Sequence, residues 1–411
     1  MRLLPSPLQR PLLALIGIGG LTACAMVGKQ GVSDGVSFVR PLEILAADSV
    51  SPLPADKFEM LGEVDPEHPL DGMMVAQTLS LFGREDLIAA SSYDYRANRC
   101  AAASAGSEVL DEIERWARRT SIVIINESHE RSEHRGFSAE LARRLRPLGY
   151  DALAMETLAN PEPNVSAATL PAVLARPDQP FLEDEDGFYL SEAGFGRLGR
   201  VAKALGYRLV PYEEQEDASA GGTATREQRI ATREETQARN LVRFLREHPN
   251  TRLLVHVGYS HATEVPLPDG GIWMAARLKA KTGIDPLTIS QTSCRGGGDR
   301  VRLADLPADE PAGAFDLVVD HPTARFVRGR PAWRLAAGDR AVDIPASLRP
   351  VACGWRVIEA RPVVEPDAAV PMDRVAIRPG ETVALMLPPG RYRLRAIDVP
   401  AAKRAAPEQP R

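Results

Sequence analysis

Two short motifs set histidine beside carboxylate or hydroxyl groups directly after apolar, strand-like runs. Asn126-Glu127-Ser128-His129 follows residues 121–125 (SIVII), and Gly258-Tyr259-Ser260-His261 follows residues 252–257 (RLLVHV). An imidazole titrates near neutral pH, and a carboxylate beside it orients it for proton transfer. The same residue types also suit a divalent ion such as Mn²⁺ or Zn²⁺. In open α/β sheets, ligands bind beyond the carboxyl ends of the strands. The chain has only seven histidines, and two of them stand at such positions.

Other groups join them. Glu156 ends the apolar run 152–155, where a carboxylate is costly to bury without a partner. Glu133 and His134 follow the first run, Glu213 and Glu214 follow a third, and His256 lies within the fourth. Each has a structural role available. Glu127 suits the first turn of the next helix, where the dipole favours acids. Glu213 and Glu214 suit a solvated acidic loop, and a strand-end histidine suits a hydrogen-bonded structural role. Convergence at matching strand ends favours a shared site.

Two patterns carry nothing. His129 and His134 flank a glutamate as in a zinc protease, but they are five residues apart, and a helical zinc pair needs four to share a face. Gly296-Gly297-Gly298 follows a strand-like run without the fingerprint of a phosphate loop.

These residues need elements to hold them. Apolar runs at 122–125, 151–156, 207–211, 253–257, 287–290 and 315–319 read as strands. Between them, 136–148, 192–205, 226–248 and 272–278 carry apolar residues at helical spacing, and 73–81 and 108–118 read as helices upstream. Alternation of strand and helix predicts an α/β fold: a mostly parallel sheet with helices on both faces. Arg208 interrupts the third strand, unlike the continuous apolar runs of 122–125 and 253–255. Beyond residue 340, short alternating runs at 357–358, 374–377, 382–387 and 391–397 are separated by Pro-Gly turns. They predict a small C-terminal antiparallel β domain, sandwich-like, over 340–398. The α/β domain spans 105–335, with a tether and N-terminal segment at 24–104 holding a short strand at 38–46, and a polar tail at 399–411.

The first 23 residues read as a secretory signal: Arg2 and Arg10, then an apolar run at 12–21 about half as long as a bilayer span. It ends in Leu21-Thr22-Ala23-Cys24, a lipobox-like pattern that makes Cys24 the lipidated first residue of a membrane-anchored lipoprotein. No Asp follows the cysteine, which favours the outer membrane of a Gram-negative cell. Removing residues 1–23 leaves 48 basic and 55 acidic residues, a net of −7. With no basic, aromatic-rich patch, the expectation is of no nucleic-acid partner. Cys100, Cys294 and Cys353 then allow one disulfide, whose pairing the sequence leaves open.

The stretch 126–134 (NESHERSEH) resembles the glycine-glutamate-x-histidine signature of the superfamily joining erythromycin esterases, ChaN-like haem-uptake lipoproteins and TraB/Tiki proteins. Within that resemblance, His134 matches the second histidine of the ChaN-like form and Glu133 a glutamate of the esterase form. Glu156 matches the glutamate ending the second strand, Arg233 leads the family's arginine helix, and 258–261 (GYSH) matches its glycine-x-x-histidine motif. The resemblance covers roughly 105–292. Asn126 replaces the motif's glycine, and Asn tolerates unusual backbone angles. Gln237 stands near the usual methionine of the arginine helix.

Three functions follow. The favoured one is a hydrolase acting on an ester or peptide bond of a small-molecule or peptide substrate. Glu127, His129, Glu156 and His261 either hold a divalent metal or work without one, with His129 as base and Arg233 as anion partner. Ser128 and Ser260 are weaker nucleophile candidates. The second is haem or iron binding through His129, His134 and Tyr259, as the ChaN-like resemblance implies. The third is a surface scaffold with a degenerate site. Residues 157–190 and 213–225 are long connections of the kind that carry specificity.

Overall fold

The computed structural model describes residues 42–48, 58–68, 75–89, 99–103, 108–161, 166, 169–190, 192–214, 224–351 and 354–399. The signal segment, Cys24, Cys353 and residues 400–411 lie outside them.

In chain order, β1 (Leu42–Asp48) precedes three short helices, α1 (Glu59–Gly62), α2 (Val75–Leu81) and α3 (Glu85–Ala89). Then come α4 (Val109–Ala117), β2 (Ile122–Glu127), α5 (Ser132–Leu145), β3 (Tyr150–Met155), α6 (Ala172–Ala175), α7 (Ala193–Ala204) and β4 (Arg208–Val210). They are followed by α8 (Arg226–Glu247), β5 (Arg252–Gly258), α9 (Met274–Thr282), β6 (Leu287–Ser290), β7 (Arg302–Ala304) and β8 (Leu317–Asp320). The last part holds the hairpin β9 (Phe326–Val327) and β10 (Arg330–Pro331), α10 (Trp333–Ala336), and β11 (Arg340–Val342) to β15. Of these, β12 is Trp355–Pro362, β13 Asp373–Ile377, β14 Leu385–Leu387 and β15 Gly390–Val399.

The fold is α/β. Seven strands form one sheet in the order β4-β3-β5-β2-β6-β8-β7, parallel except for β7, which runs antiparallel to β8 at one edge. Burial on both faces explains the unbroken apolar runs. Val123 and Ile125 pack with Ile113, Leu141 and Leu198 on one side, while Ile122 and Ile124 pack with Ala238, Leu241 and Leu278 on the other. Arg208 interrupts its run because β4 is the opposite edge, where a short strand with an exposed charge resists unwanted pairing.

A smaller sheet has the order β1-β15-β12-β13, antiparallel apart from the β1–β15 pair. Trp355, Val357, Ile397 and Val399 meet Leu61, Leu79 and Ile88 of the short helices on one face. Ile358, Ala360, Leu394 and Ala396 meet Leu385 and Leu387 of the β11–β14 pair on the other. Polar ties join this sheet to the connection that follows β3. Glu359, wholly buried, is ringed by Arg361, Arg374 and Arg395, and Arg374 also reaches Asp184. Val370 donates its backbone N–H to Leu182.

Cys100 and Cys294 form the disulfide, linking the segment before α4 to the loop after β6.

Candidate functional site

The parallel topology brings the carboxyl ends of β2, β3 and β5 side by side, and with them Glu127, Glu156 and Gly258. Asn126 locks these ends in place. Its Nδ2 donates to the Tyr259 carbonyl at 2.7 Å and to Thr292 Oγ1 at 3.0 Å, while its Oδ1 accepts from Gln291 N–H at 2.7 Å. Asn126 therefore serves through its side chain, within a regular strand, and not through backbone freedom.

Around this scaffold lie two carboxylate–arginine–histidine groups. In the first, His129 Nδ1 lies 2.7 Å from Glu127 Oε1, and the other Glu127 oxygen accepts from Arg135. Arg135, fully buried, also donates through Nε to Glu192 at 2.8 Å and covers the Phe195 ring. Burial opposes ionisation of Glu127, but the Arg135 charge and the His129 contact outweigh it and hold the carboxyl at about 2. Burial likewise pushes the His129 imidazole down, and Glu127 more than compensates, leaving it raised. With Nδ1 facing a carboxylate, the neutral ring carries its proton there and Nε2 keeps a lone pair.

In the second group, Arg233 donates to Glu156 Oε1 and to both oxygens of Glu213, the Nε contact being 3.1 Å. The second Glu156 oxygen accepts the Gly258 N–H. His261 Nε2 lies 3.1 Å from Arg233 Nη1 and 3.5 Å from Glu156 Oε1. Its Nδ1 stands 2.7 Å from Glu234 Oε1, in ionic contact but off hydrogen-bond alignment. Burial opposes the charge on both Glu156 and His261, yet their mutual attraction prevails: Glu156 is lowered and His261 raised.

Gly258 joins the two groups. A Cβ there would stand 2.9 Å from His129 Cε1, 3.1 Å from His129 Nε2 and 3.0 Å from Glu156 Oε2. Only a glycine lets the imidazole and the second carboxylate approach the same stretch of backbone. Two tyrosines flank His129: Tyr189 stacks at 4.7 Å between centroids and Tyr259 meets it edge-on at 5.0 Å. Both have left-handed backbones, with φ of 42° and 38°. Such strain in non-glycine residues collects at functional sites.

The expected residues divide accordingly. Glu127 and His129 form one group, and Glu156, Arg233 and His261 the other. The Tyr259 hydroxyl donates to Glu130 at 2.8 Å and accepts the His129 backbone N–H at 3.3 Å. His134 is buried, with Nδ1 accepting the Ser128 N–H at 3.0 Å, and burial holds it well below the ordinary histidine range. Glu133 lies near Arg131, and Ser128 Oγ donates to Glu130 at 2.6 Å. His256, also buried, is pushed down to about 4.

The donor set bears on a metal. Among the described residues, no group of three or more His, Cys, Asp or Glu side chains is placed to hold one. The physical reason is charge: both Glu127 oxygens and both Glu156 oxygens already face arginine, histidine or backbone N–H groups. The expected set of Glu127, His129, Glu156 and His261 does not fit a divalent cation beside two guanidinium groups.

Arg135, Glu192, Glu234 and Tyr189 were not among the expected site residues. Arg135 had a readable signal, since it shares a helical stripe with the apolar Ala139 and Ala142, where an unpaired charge would be costly. Tyr189 had none.

The sequence matches no protein-family model, and no curated protein matches it. Solved structures that it resembles include the type III effector HopBA1, with 16% identity and a TM-score of 0.32 over 56% of this chain and 99% of that one. Another is RRSP, a MARTX toxin effector domain from Vibrio vulnificus, with 16% identity and 0.34 over 59% and 47%. A third is the haem-binding ChaN of Campylobacter jejuni, with 10% identity and 0.31 over 51% and 91%. At such scores the likenesses assign no function to the chain. Its class is defined by its own structure: an α/β protein with paired Glu–His–Arg groups at the carboxyl edge of a parallel sheet.

Proposed function

We propose that this cluster of groups is a metal-independent hydrolase site for an ester or peptide bond. The observation that carries the reading is the Glu127–His129 contact, backed by buried Arg135, which leaves His129 Nε2 as a free base. His129 Nε2 takes a proton from water, and the resulting hydroxide adds to the substrate carbonyl. Arg233, whose side chain is 36% exposed, faces the negative charge that develops on the carbonyl oxygen. The protonated His129 then passes its proton to the leaving group as the carbonyl re-forms. Glu156 positions Arg233 and His261.

Haem ligation is less well supported. Tyr259 O–H is engaged by Glu130, and neutral His134 carries its proton on Nε2, so of the three expected ligands His129 alone offers a lone pair. The motifs at 126–134, 156, 233 and 258–261 support a place in the superfamily of erythromycin esterases, ChaN-like lipoproteins and TraB/Tiki proteins. The Cys24 pattern supports an outer-membrane lipoprotein. Incorporation of labelled palmitate, lost in Cys24→Ala, tests that anchor.

A panel of ester and peptide substrates tests the activity, using protein treated with chelator. Turnover that survives chelation and disappears in His129→Ala supports the proposal. A Soret band titrating to one equivalent, with a silent panel, overturns it in favour of haem.

A further inference from the structure

The open edge of the seven-stranded sheet carries a groove of about 340 Å³. It is lined by the five consecutive residues 207–211, by Leu174 and Lys203 from one helical layer, and by Arg243 and Phe244 from the other. Alternate side chains of a strand point to opposite faces. Five residues in a row can therefore line one groove only along their shared backbone edge. Among the described residues β4 pairs with β3 alone, so that edge has backbone groups with no strand partner there. The rim carries Lys203, Arg208 and Arg243 against one carboxylate, Glu247. Among the described residues, no carboxylate pairs with Arg208, Arg239, Arg243 or Arg246; Arg239 and Arg243 donate to Thr236 and Asn240 instead. This contrasts with Arg135 and Arg233 of the site, each of which meets two carboxylates. Residues 239, 243 and 246 fall on one stripe of α8, and a neighbouring cavity of about 820 Å³, sharing Asn240, Arg243 and Glu247 with the groove, continues over them to Lys281.

We propose that this groove docks an extended acidic peptide by strand addition to β4. The peptide backbone pairs with the open edge, its apolar side chains pack on Leu174, Tyr207 and Phe244, and its carboxylates meet Arg208 and Arg243. The groove ends at Pro211, which has no N–H and stands two residues before Glu213, the partner of Arg233. A strand laid along it points toward the Arg233 group. Docking itself does not rest on the hydrolase reading.

Fluorescence polarisation with the full chain tests it, the probe being a fluorescein-labelled peptide alternating valine and glutamate. We expect saturable binding, at least tenfold weaker for Arg208→Glu/Arg243→Glu, a pair of exposed sites whose fold is checked by circular dichroism. Methylating alternate backbone nitrogens of the peptide is expected to weaken binding similarly, and a valine–lysine peptide is expected not to bind. His129→Ala, which abolishes the proposed hydrolysis, is expected to leave binding intact. Absence of binding, indifference to N-methylation or to charge reversal, loss in His129→Ala, or displacement by dodecyl phosphate in preference to unlabelled peptide overturns the proposal.

Discussion

His129 and Glu127 stand two residues apart in sequence and 2.7 Å apart through Nδ1 and Oε1, with Glu127 pinned from behind by Arg135. The carboxylate thus sets both the tautomer and the basicity of the imidazole. Replacing Glu127 with Gln keeps the shape and removes the charge, so the raised His129 titration should fall toward or below its ordinary value of 6.5. Turnover on any substrate found should fall by about 10²–10⁴-fold. NMR titration of the imidazole carbons checks the shift without a substrate; an unmoved midpoint would falsify the pairing.

The same pair predicts a pH profile. His129 acts as base when neutral, so activity should rise with pH through its raised titration point, above 6.5. In stability the sign is opposite. A raised histidine stabilises the fold fully below pH 6.5, and that contribution disappears as pH rises through the folded value. Urea midpoints for wild type and Glu127→Gln should therefore differ more at pH 6 than at pH 9.

Buried histidines predict acid sensitivity. His256 and His321 are held down by burial to about 4 and about 3. The unfolded chain protonates them below about 6.5. Stability should be retained above that and decline as pH falls toward 4, by a few kcal/mol in total. Replacing His321 with Phe should flatten part of this decline in urea titrations. An unchanged slope would count against neutral burial.

Arg135 joins Glu127 to Glu192 out of contact with water. Arg135→Met leaves buried Glu192 without this counter-charge and Glu127 with His129 as its remaining partner, at a cost of about 3–5 kcal/mol. Adding Glu192→Gln should restore part of that loss, which a double-mutant cycle in urea would measure.

Gly258→Ala tests the close approach of the two groups. The added methyl must push His129 or Glu156 aside, for about 1–3 kcal/mol. The protein should fold, with a lower melting temperature and a displaced His129 titration.

Much of this arrangement was legible in the sequence, for physical reasons. Strands buried on both faces must be apolar throughout, so β2, β5 and β6 stood out; β7, three residues at an edge, did not. The expected start of α5 at 136 was late, since its first turn begins at Ser132 and buries Ser132, His134 and Arg135 in a polar network that breaks the apolar period. Carboxylates and histidines at strand ends were readable because parallel topology gathers such ends. Arg233 was legible through the arginine helix that the family resemblance supplies, and Arg135 through its place on an apolar stripe, but which carboxylate each arginine meets was not. Arg135 meets Glu192 across 57 residues and Arg233 meets Glu156 across 77, and no local pattern encodes such pairs. That is also why a metal set looked reasonable in the sequence, where the lone pairs taken by guanidinium groups are invisible.

The parallel pairing of β1 with β15 has a consequence for synthesis. β15 lies inside the smaller sheet, with β1 on one side and β12 on the other. The first described strand therefore waits for its neighbour until the last described strand has left the ribosome, while the parallel sheet needs no residue beyond Asp320. A chain stopped before Gly390 would carry both β1 and β12 as raw edges open to other chains. Closure of this smaller sheet therefore waits on β15, which alone joins β1 to β12 among the described strands.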